Sequence, residues 1–217
     1  MGELEDSSLA YVAVPVGGPG RPVLIVHSWW GLTTSFTDIA DELADRGFLA
    51  GCADLYKGAI ATTEADARQL RQQKRSVPTY KVLQHCVHLL ASDIRSTTQK
   101  PAVVGFSMGA HWAVWLAQHP DPPVGASVLF YGARGGDFSK ATAPVLAHFA
   151  GADEFVSASA RRNMEQAIAR RRLRYTAFDY PGTGHWFAES AHPSFDQDAA
   201  ELAIDRTADF LVDQNRR

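Results

Sequence analysis

The sequence predicts an α/β domain in which a mostly parallel sheet is covered by helices on both faces. The main observation is that short β-branched runs alternate with amphipathic segments along the whole chain of 217 residues. The composition, with 46% hydrophobic and 21% charged residues, is that of a globular protein and excludes disordered, collagen-like and coiled-coil chains. No repeat or linker divides the sequence, so we expect residues 1–217 to form a single domain.

The first half of the chain begins with a weak alternation over Leu9–Val16, which stops at a cluster of glycine and proline. The β-branched run Pro22–His27 is typical of a buried strand, and Phe48–Leu55 is a second strand candidate. Amphipathic spacing predicts helices over Ser35–Arg46, Glu64–Arg75 and Pro78–Thr98. The first of these is followed by a glycine in the C-cap position.

The second half repeats the same alternation more regularly. Four apolar runs predict strands over Pro101–Phe106, Val124–Tyr131, Pro144–Phe149 and Leu173–Phe178. Between and after these strands, helical spacing predicts helices over Met108–His119, Ser157–Arg170 and Phe195–Gln214. Pro120 ends the first of them. Because ligands of such sheets bind beyond the carboxyl ends of the strands, we expect the function to lie in the loops that follow them.

Charge and cysteine content narrow the possible partners and the compartment. A net charge of -3 and a pI near 6.2 give no reason to expect nucleic acid or an anionic membrane as partner. The cations Arg170, Arg171, Arg172 and Arg174 close a predicted helix, where they suit its dipole. Two cysteines, an acidic N-terminus (Met1–Asp6) and the lack of a long apolar run predict a cytoplasmic protein.

The strongest chemical signal is Gly105-Phe106-Ser107-Met108-Gly109, which lies between a predicted strand and a predicted helix. This is the G-x-S-x-G pattern of a nucleophile elbow in its expected strand–turn–helix context. The turn is so sharp that larger side chains at the two glycine positions would clash. We therefore predict Ser107 to be a nucleophile exposed at the N-terminus of the following helix.

A serine hydroxyl needs a base, and His185 in a glycine-rich loop after the last strand is our candidate. The acid should fall between the two along the chain, and Asp153 follows the strand Pro144–Phe149. The competing acids are Asp137, Glu154 and Asp179. Among the other histidines, His27 ends a strand at the same rim. His85 and His88 lack further metal ligands at suitable spacing, so we expect solvated helix histidines and no metal there.

Two backbone N–H groups should stabilise the oxyanion. Met108 follows the nucleophile, and Trp29 lies in the loop after the first buried strand. Adjacent tryptophans in extended chain point in opposite directions, so one of Trp29 and Trp30 should line a pocket. We expect substrate contacts from Ser28, Trp30, Tyr131 and Trp186.

These segments together resemble the dienelactone hydrolase family. The resemblance covers the chain from about Pro22 to its end and rests on His27–Leu32, Ala53–Tyr56, Gly105–Gly109, Gly151–Val156 and Tyr180–His185. It implies an α/β-hydrolase fold without a large cap, hydrolysis of esters or lactones, and no cofactor. It also supports Asp153 and His185 as acid and base.

Three positions depart from the family pattern. Ser107 replaces the cysteine nucleophile of the best-studied members, and Ser28 replaces a glutamate that interacts with their resting thiol. Glu189 stands where members acting on dienelactone carry an arginine, and a carboxylate there would repel an anionic substrate. Arg134 is a candidate replacement cation, although a solvated loop arginine is the simpler interpretation.

We therefore expect a serine hydrolase that cleaves a neutral or cationic ester or lactone, other than dienelactone itself, through an acyl-enzyme. A thioesterase or peptidase with the same triad is an alternative, because acyl-transfer groups do not reveal the leaving group. A non-catalytic member of the fold that binds a ligand in the cleft is another. We expect a monomer or a weak homodimer.

Overall fold

The computed structural model describes residues 8–73, 76–119 and 121–213 and is built on a seven-stranded sheet. The strands are β1 (Leu9–Ala13), β2 (Arg21–Val26), β3 (Phe48–Ala53), β4 (Ala102–Phe106), β5 (Ala126–Phe130), β6 (Val145–Ala152) and β7 (Tyr175–Gly184). The helices are α1 (Thr34–Asp45), α2 (Glu64–Gln72), α3 (Ser76–Ser92), α4 (Met108–Gln118), α5 (Ala158–Arg171) and α6 (Gln197–Asp213).

The strands are arranged in the order β1-β3-β2-β4-β5-β6-β7. Among the described strands, only β1, the weakly alternating segment, pairs antiparallel, with β3 at one edge. The other pairs are parallel. The prediction of a mostly parallel sheet is therefore confirmed. Because the parallel strands share one direction, the loops that follow β2, β4, β5, β6 and β7 meet at one edge of the sheet.

Helices cover both faces of the sheet, as predicted. Apolar side chains of α1 and α6, such as Phe36, Leu43 and Ile204, belong to the core on one face. The opposite face packs against α3, α4 and α5 through residues such as Leu83 and Ile168. The longest connection between consecutive described elements is 131–144, so nothing in the described chain forms a large cap.

The helix predicted over Pro78–Thr98 ends earlier, at Ser92. The backbone beyond it pairs with the segment before β2 instead, since the N–H of Gly20 donates to Arg95 O and that of Thr97 donates to Gly20 O. Asp93 also caps this turn, accepting hydrogen bonds from the backbone and the side chain of Arg95. The predicted positions Met1–Asp6, Arg75, Pro120 and Gln214 lie outside the described residues.

Strands β6 and β7 run beyond their predicted ends at Phe149 and Phe178, to Ala152 and Gly184. Pro181 and Gly182 favoured a turn in the sequence, but β7 is an edge strand, where a missing N–H is tolerated. The pairing shifts register between Ala150 and Ala152 and then resumes with Ala152 opposite Gly184. This extension carries both strands to the edge where the functional loops meet.

No helix within the described ranges combines the length and the apolar character that a membrane crossing requires. Both cysteines, Cys52 and Cys86, are buried free thiols.

Candidate active site

Ser107 occupies a strained turn between β4 and α4. Its backbone lies at φ 52° and ψ −107°, a conformation that L residues rarely adopt. A Cβ atom on Gly105 would lie 2.2 Å from the carbonyl oxygen of Gly109, and one on Gly109 would lie 2.0 Å from that of Val26. The expectation that both positions require glycine is therefore confirmed, and the turn holds Ser107 at the N-cap position, immediately before the first residue of α4.

The extended pairing of β6 with β7 places the candidate acid beside the candidate base. Ala152 of β6 is paired with Gly184 of β7, and Asp153 and His185 directly follow these two paired residues. His185 Nδ1 lies 2.9 Å from both Asp153 carboxylate oxygens. Its other nitrogen, Nε2, lies 2.8 Å from Ser107 Oγ. The three side chains thus form a continuous hydrogen-bonded series.

Burial raises the pKa of Asp153, but the hydrogen bond and the charge of His185, together with the N–H groups of Phe155 and Val156, outweigh it. The pKa of Asp153 is therefore lower than that of an ordinary aspartate, and the side chain remains a carboxylate near neutral pH. A carboxylate at this position fixes His185 in the tautomer that carries its proton on Nδ1 and leaves Nε2 free to accept one.

The three competing acids lie elsewhere. Asp137 binds the backbone and hydroxyl of Ser139 in an exposed turn, and Asp179 is paired with Arg161. Glu154 is exposed to solvent.

A cavity of about 510 Å³ opens above Ser107. Trp29, Met108, Tyr131 and Trp186 line it, as the sequence predicts for residues that contact the oxyanion or the substrate. Trp29 stacks on Trp186 with ring centroids 5.9 Å apart, and Phe155 packs against both rings and against His185. The wall beside the imidazole is therefore mostly aromatic.

Two predicted substrate contacts do not line this cavity. Trp30 packs behind the lining, against Trp29, Trp186 and His192. Ser28 is fully buried, and its hydroxyl donates a hydrogen bond of 2.7 Å to Glu189.

The expectation that Glu189 repels anionic substrates does not agree with its position. Its side chain is 2% exposed, does not line the cavity, and accepts hydrogen bonds from Ser28 and, at 2.9 Å, from the hydroxyl of Tyr131. Burial raises the pKa of Glu189 to about 8, although both hydrogen bonds act in the opposite direction. The group faces protein rather than substrate, and its burial favours the uncharged form.

Among the described residues, the arginine and carboxylate side chains that line the cavity are all arginines. Arg134 contributes from the loop after β5, as considered from the sequence, and Arg71 contributes from α2. Arg71 could not be recognised from the sequence, because no local motif marks it and its helix lies far from the catalytic segments in the chain. Leu55, Thr79, Tyr80, His111 and Trp112 complete this part of the wall.

His27 supports the loop that follows β2. Its Nδ1–H donates to Ser28 O, and its Nε2 accepts from the backbone N–H of Leu55, so the neutral ring links the ends of β2 and β3. It is thus a buried rim histidine, as expected. Within the described residues, no group of three or more His, Cys, Asp or Glu side chains is placed to hold a metal ion.

A mostly parallel sheet with a strained serine between β4 and α4, and partner side chains after β6 and β7, defines the class of α/β hydrolases. The particular family follows from comparison with known proteins. The chain belongs to the dienelactone hydrolase family, whose model matches residues 9–214, and it is a carboxylic ester hydrolase.

Individual relatives agree with this assignment. The carboxymethylenebutenolidase of Pseudomonas putida is 26% identical over 213 residues, which cover 94% of this chain and 90% of the relative. Among solved structures, the dienelactone hydrolase-like promiscuous phosphotriesterase P91 from metagenomic libraries superposes with a TM-score of 0.79 at 19% identity, covering 91% of this chain and 88% of P91. Esterase 2 of Thermogutta terrifontis has a TM-score of 0.74 at 15% identity, with 94% and 89% covered. These two structures support the fold.

Proposed function

We propose that Ser107, His185 and Asp153 form a catalytic triad that hydrolyses a carboxylic ester or lactone through an acyl-enzyme. The observation that carries this proposal is the hydrogen-bonded series from Ser107 Oγ through the His185 ring to Asp153. Its distances lie within the range that proton transfer between a nucleophile and its base requires.

In the first half-reaction, Ser107 Oγ attacks the ester carbonyl carbon while its proton passes to His185 Nε2. The carbonyl oxygen becomes an oxyanion, which the backbone N–H groups of Met108 and Trp29 stabilise. The tetrahedral intermediate then loses the alcohol, which takes the proton from His185, and Ser107 is left as an acyl ester.

In the second half-reaction, water attacks the acyl ester and gives its proton to His185. The second tetrahedral intermediate expels Ser107 Oγ, which regains the proton, and the carboxylic acid leaves. Asp153 remains ionised throughout and stabilises the imidazolium that forms twice in the cycle.

The cavity also suggests the charge of the substrate. Arg71 and Arg134 line it, whereas Glu189, on which the expectation of a neutral or cationic substrate was based, lies outside it. A carboxylate or other oxygen-rich group on the substrate would complement these cations. We therefore favour esters or lactones that carry an anionic group.

Replacement of Ser107 by alanine tests the nucleophile. We expect kcat for a nitrophenyl ester to fall by about 10⁶-fold, with the protein still folded, because the base then has no hydroxyl to activate. A fluorophosphonate should label the unmodified chain at Ser107 and leave the variant unlabelled. Hydrolysis retained by the variant would refute the triad, and absence of labelling in the unmodified chain would favour a non-catalytic binding role.

A further inference from the structure

Glu189 is a buried acid that the proposed mechanism does not use. It lies in the loop that follows His185, and its backbone is fixed by hydrogen bonds between Glu189 N–H and Trp186 O and between His192 N–H and Glu189 O. Within the described ranges, no basic side chain pairs with its carboxyl group within 4.0 Å. Burying a carboxyl group without a cation is unfavourable, so its presence calls for an explanation other than stability.

One oxygen of Glu189 holds the turn that contains the proposed oxyanion donor Trp29. Oε2 accepts the Ser28 hydroxyl hydrogen at 2.7 Å, and the same hydroxyl oxygen accepts a long hydrogen bond of 3.4 Å from Trp30 N–H. The carbonyl group of Ser28 is held separately, by His27 Nδ1 and by Gly31 N–H. Both the hydroxyl group and the carbonyl group of Ser28, the residue before Trp29, are therefore held by hydrogen bonds.

The other oxygen of Glu189 holds Tyr131, which forms part of the wall behind the base. The Tyr131 hydroxyl donates to Oε1 at 2.9 Å, and its ring lies 5.0 Å from the His185 ring, centroid to centroid. Its backbone is left-handed, at φ 37°, and its N–H donates to His148 O at 2.7 Å. The carboxyl group of Glu189 thus joins three chain segments that reach the site from β2, β5 and β7.

We propose that Glu189 is a positioning residue. Through Ser28 and Tyr131, it holds the turn that contains the proposed oxyanion donor Trp29 at the correct distance from His185 and Ser107. This inference rests on the proposed function and adds to it a residue that touches neither the substrate nor the reacting atoms. An error of about 1 Å in the position of a catalytic group can reduce the rate by about 100-fold, so a side chain that sets this distance affects kcat more than substrate binding.

The test compares Glu189→Leu, Glu189→Gln and the exposed control Glu201→Gln on α6, with melting temperatures measured for each. Leucine keeps most of the volume but accepts no hydrogen bond, and we expect it to lower kcat by about 30-fold to 100-fold while KM stays within about twofold. Glutamine can bond to both hydroxyl groups, and we expect it to recover most of the lost kcat. The control should match the unmodified chain.

A trifluoromethyl ketone supplies a second readout, because its adduct with a serine carries an oxyanion. In Glu189→Leu we expect the inhibition constant to weaken by the same factor as kcat/KM, which a loss of packing alone would not require. Where Glu189→Leu fails to fold, Ser28→Ala removes only the link to the oxyanion turn, and we expect a loss of about tenfold in kcat and in inhibitor affinity.

The inference is overturned if Glu189→Leu or Ser28→Ala, while folded, retains full kcat, or if the loss appears in KM alone. It is also overturned if Glu189→Gln is as impaired as Glu189→Leu. These outcomes differ from failure of the proposed function, in which Ser107→Ala would itself remain active.

Discussion

Asp153 meets the imidazole of His185 with both carboxylate oxygens at 2.9 Å, and this contact decides which ring nitrogen faces Ser107. Asparagine in its place would preserve the shape but could donate to Nδ1 and so favour the wrong tautomer. We expect Asp153→Asn to lower kcat by about 10⁴-fold with little change in stability. Asp137→Asn, in an exposed turn, is the control and should stay within about twofold. If Asp137→Asn lowered kcat more than Asp153→Asn does, Asp153 would not be the acid.

Arg134 provides the residue-level test of substrate charge. A pair of nitrophenyl esters with equal acyl chain length, one ending in a carboxylate and one uncharged, separates charge from size. We expect Arg134→Gln to reduce kcat/KM for the anionic ester by about threefold to fivefold and to leave the uncharged ester unaffected, since partly exposed ion pairs contribute roughly 0.2–1 kcal/mol.

Added salt should weaken the preference of the unmodified chain for the anionic ester in the same direction. Arg162→Gln changes an exposed arginine of α5 that does not line the cavity, and it should alter neither ester. Equal losses for both esters in Arg134→Gln would show that the arginine supports the loop rather than recognises charge.

The elements β2 and α4 approach each other so closely at Gly109 that the nucleophile turn depends on the absence of a side chain. A Cβ atom there would lie 2.0 Å from the oxygen of Val26, which is backbone of an inner strand and cannot give way as a flexible side chain could. We expect Gly109→Ala to lower the free energy of unfolding by about 3 kcal/mol or more.

Urea denaturation measures this change, with Gly135→Ala as the control. A Cβ atom on Gly135 would have its nearest neighbour 3.9 Å away, at Asn163 Cβ, and the backbone there is not left-handed. The control should change the free energy of unfolding by no more than about 0.5 kcal/mol. A stable, fully active Gly109→Ala variant would contradict the packing of β2 against α4.

Most elements could be predicted from the sequence because each depends on its own local pattern. The nucleophile turn was predictable for the same reason, since Gly105, Ser107 and Gly109 are adjacent in the chain. The ends of β6 and β7 were not, because edge pairing in the sheet overrides the turn preference of Pro181 and Gly182.

Two residues of the site, Glu189 and Arg71, could not be interpreted correctly from local pattern. Glu189 looked like a charge facing substrate, but the fold buries it between Ser28 and Tyr131, which lie 161 and 58 positions away in the chain. Arg71 reaches the cavity from α2, and no motif distinguishes it from other helix arginines. The chemistry of such residues is set by what surrounds them in the folded molecule.

At the scale of the whole molecule, two buried groups couple stability to pH in opposite directions. His148 is wholly buried between Tyr180 and Thr207, and burial, with a smaller effect of Arg206, lowers its pKa to about 3. Between about pH 3 and its ordinary value of 6.5, the unfolded chain binds a proton there that the folded chain does not. Its contribution to stability is therefore complete above pH 6.5 and is lost as the pH falls toward 3.

Glu189 behaves in the opposite way, because its folded pKa of about 8 lies above its ordinary value of 4.5. Between these values the folded chain retains a proton that the unfolded chain has released. Its contribution is complete below pH 4.5 and is lost as the pH rises toward 8, by an amount on the order of a few kcal/mol for a group buried this fully.

Free energies of unfolding at several pH values can separate the two groups, because Glu189→Gln and His148→Gln each remove one titration. Relative to Glu189→Gln, the unmodified chain should lose stability as the pH rises from 5 to 8. Relative to His148→Gln, the unmodified chain should lose stability as the pH falls from 6.5 to 4. If these differences in stability stay constant across the two pH ranges, the two groups titrate normally in the folded chain. Glu189 and His148 would then have to be less buried than the packing around β5, β6 and the loop after β7 implies.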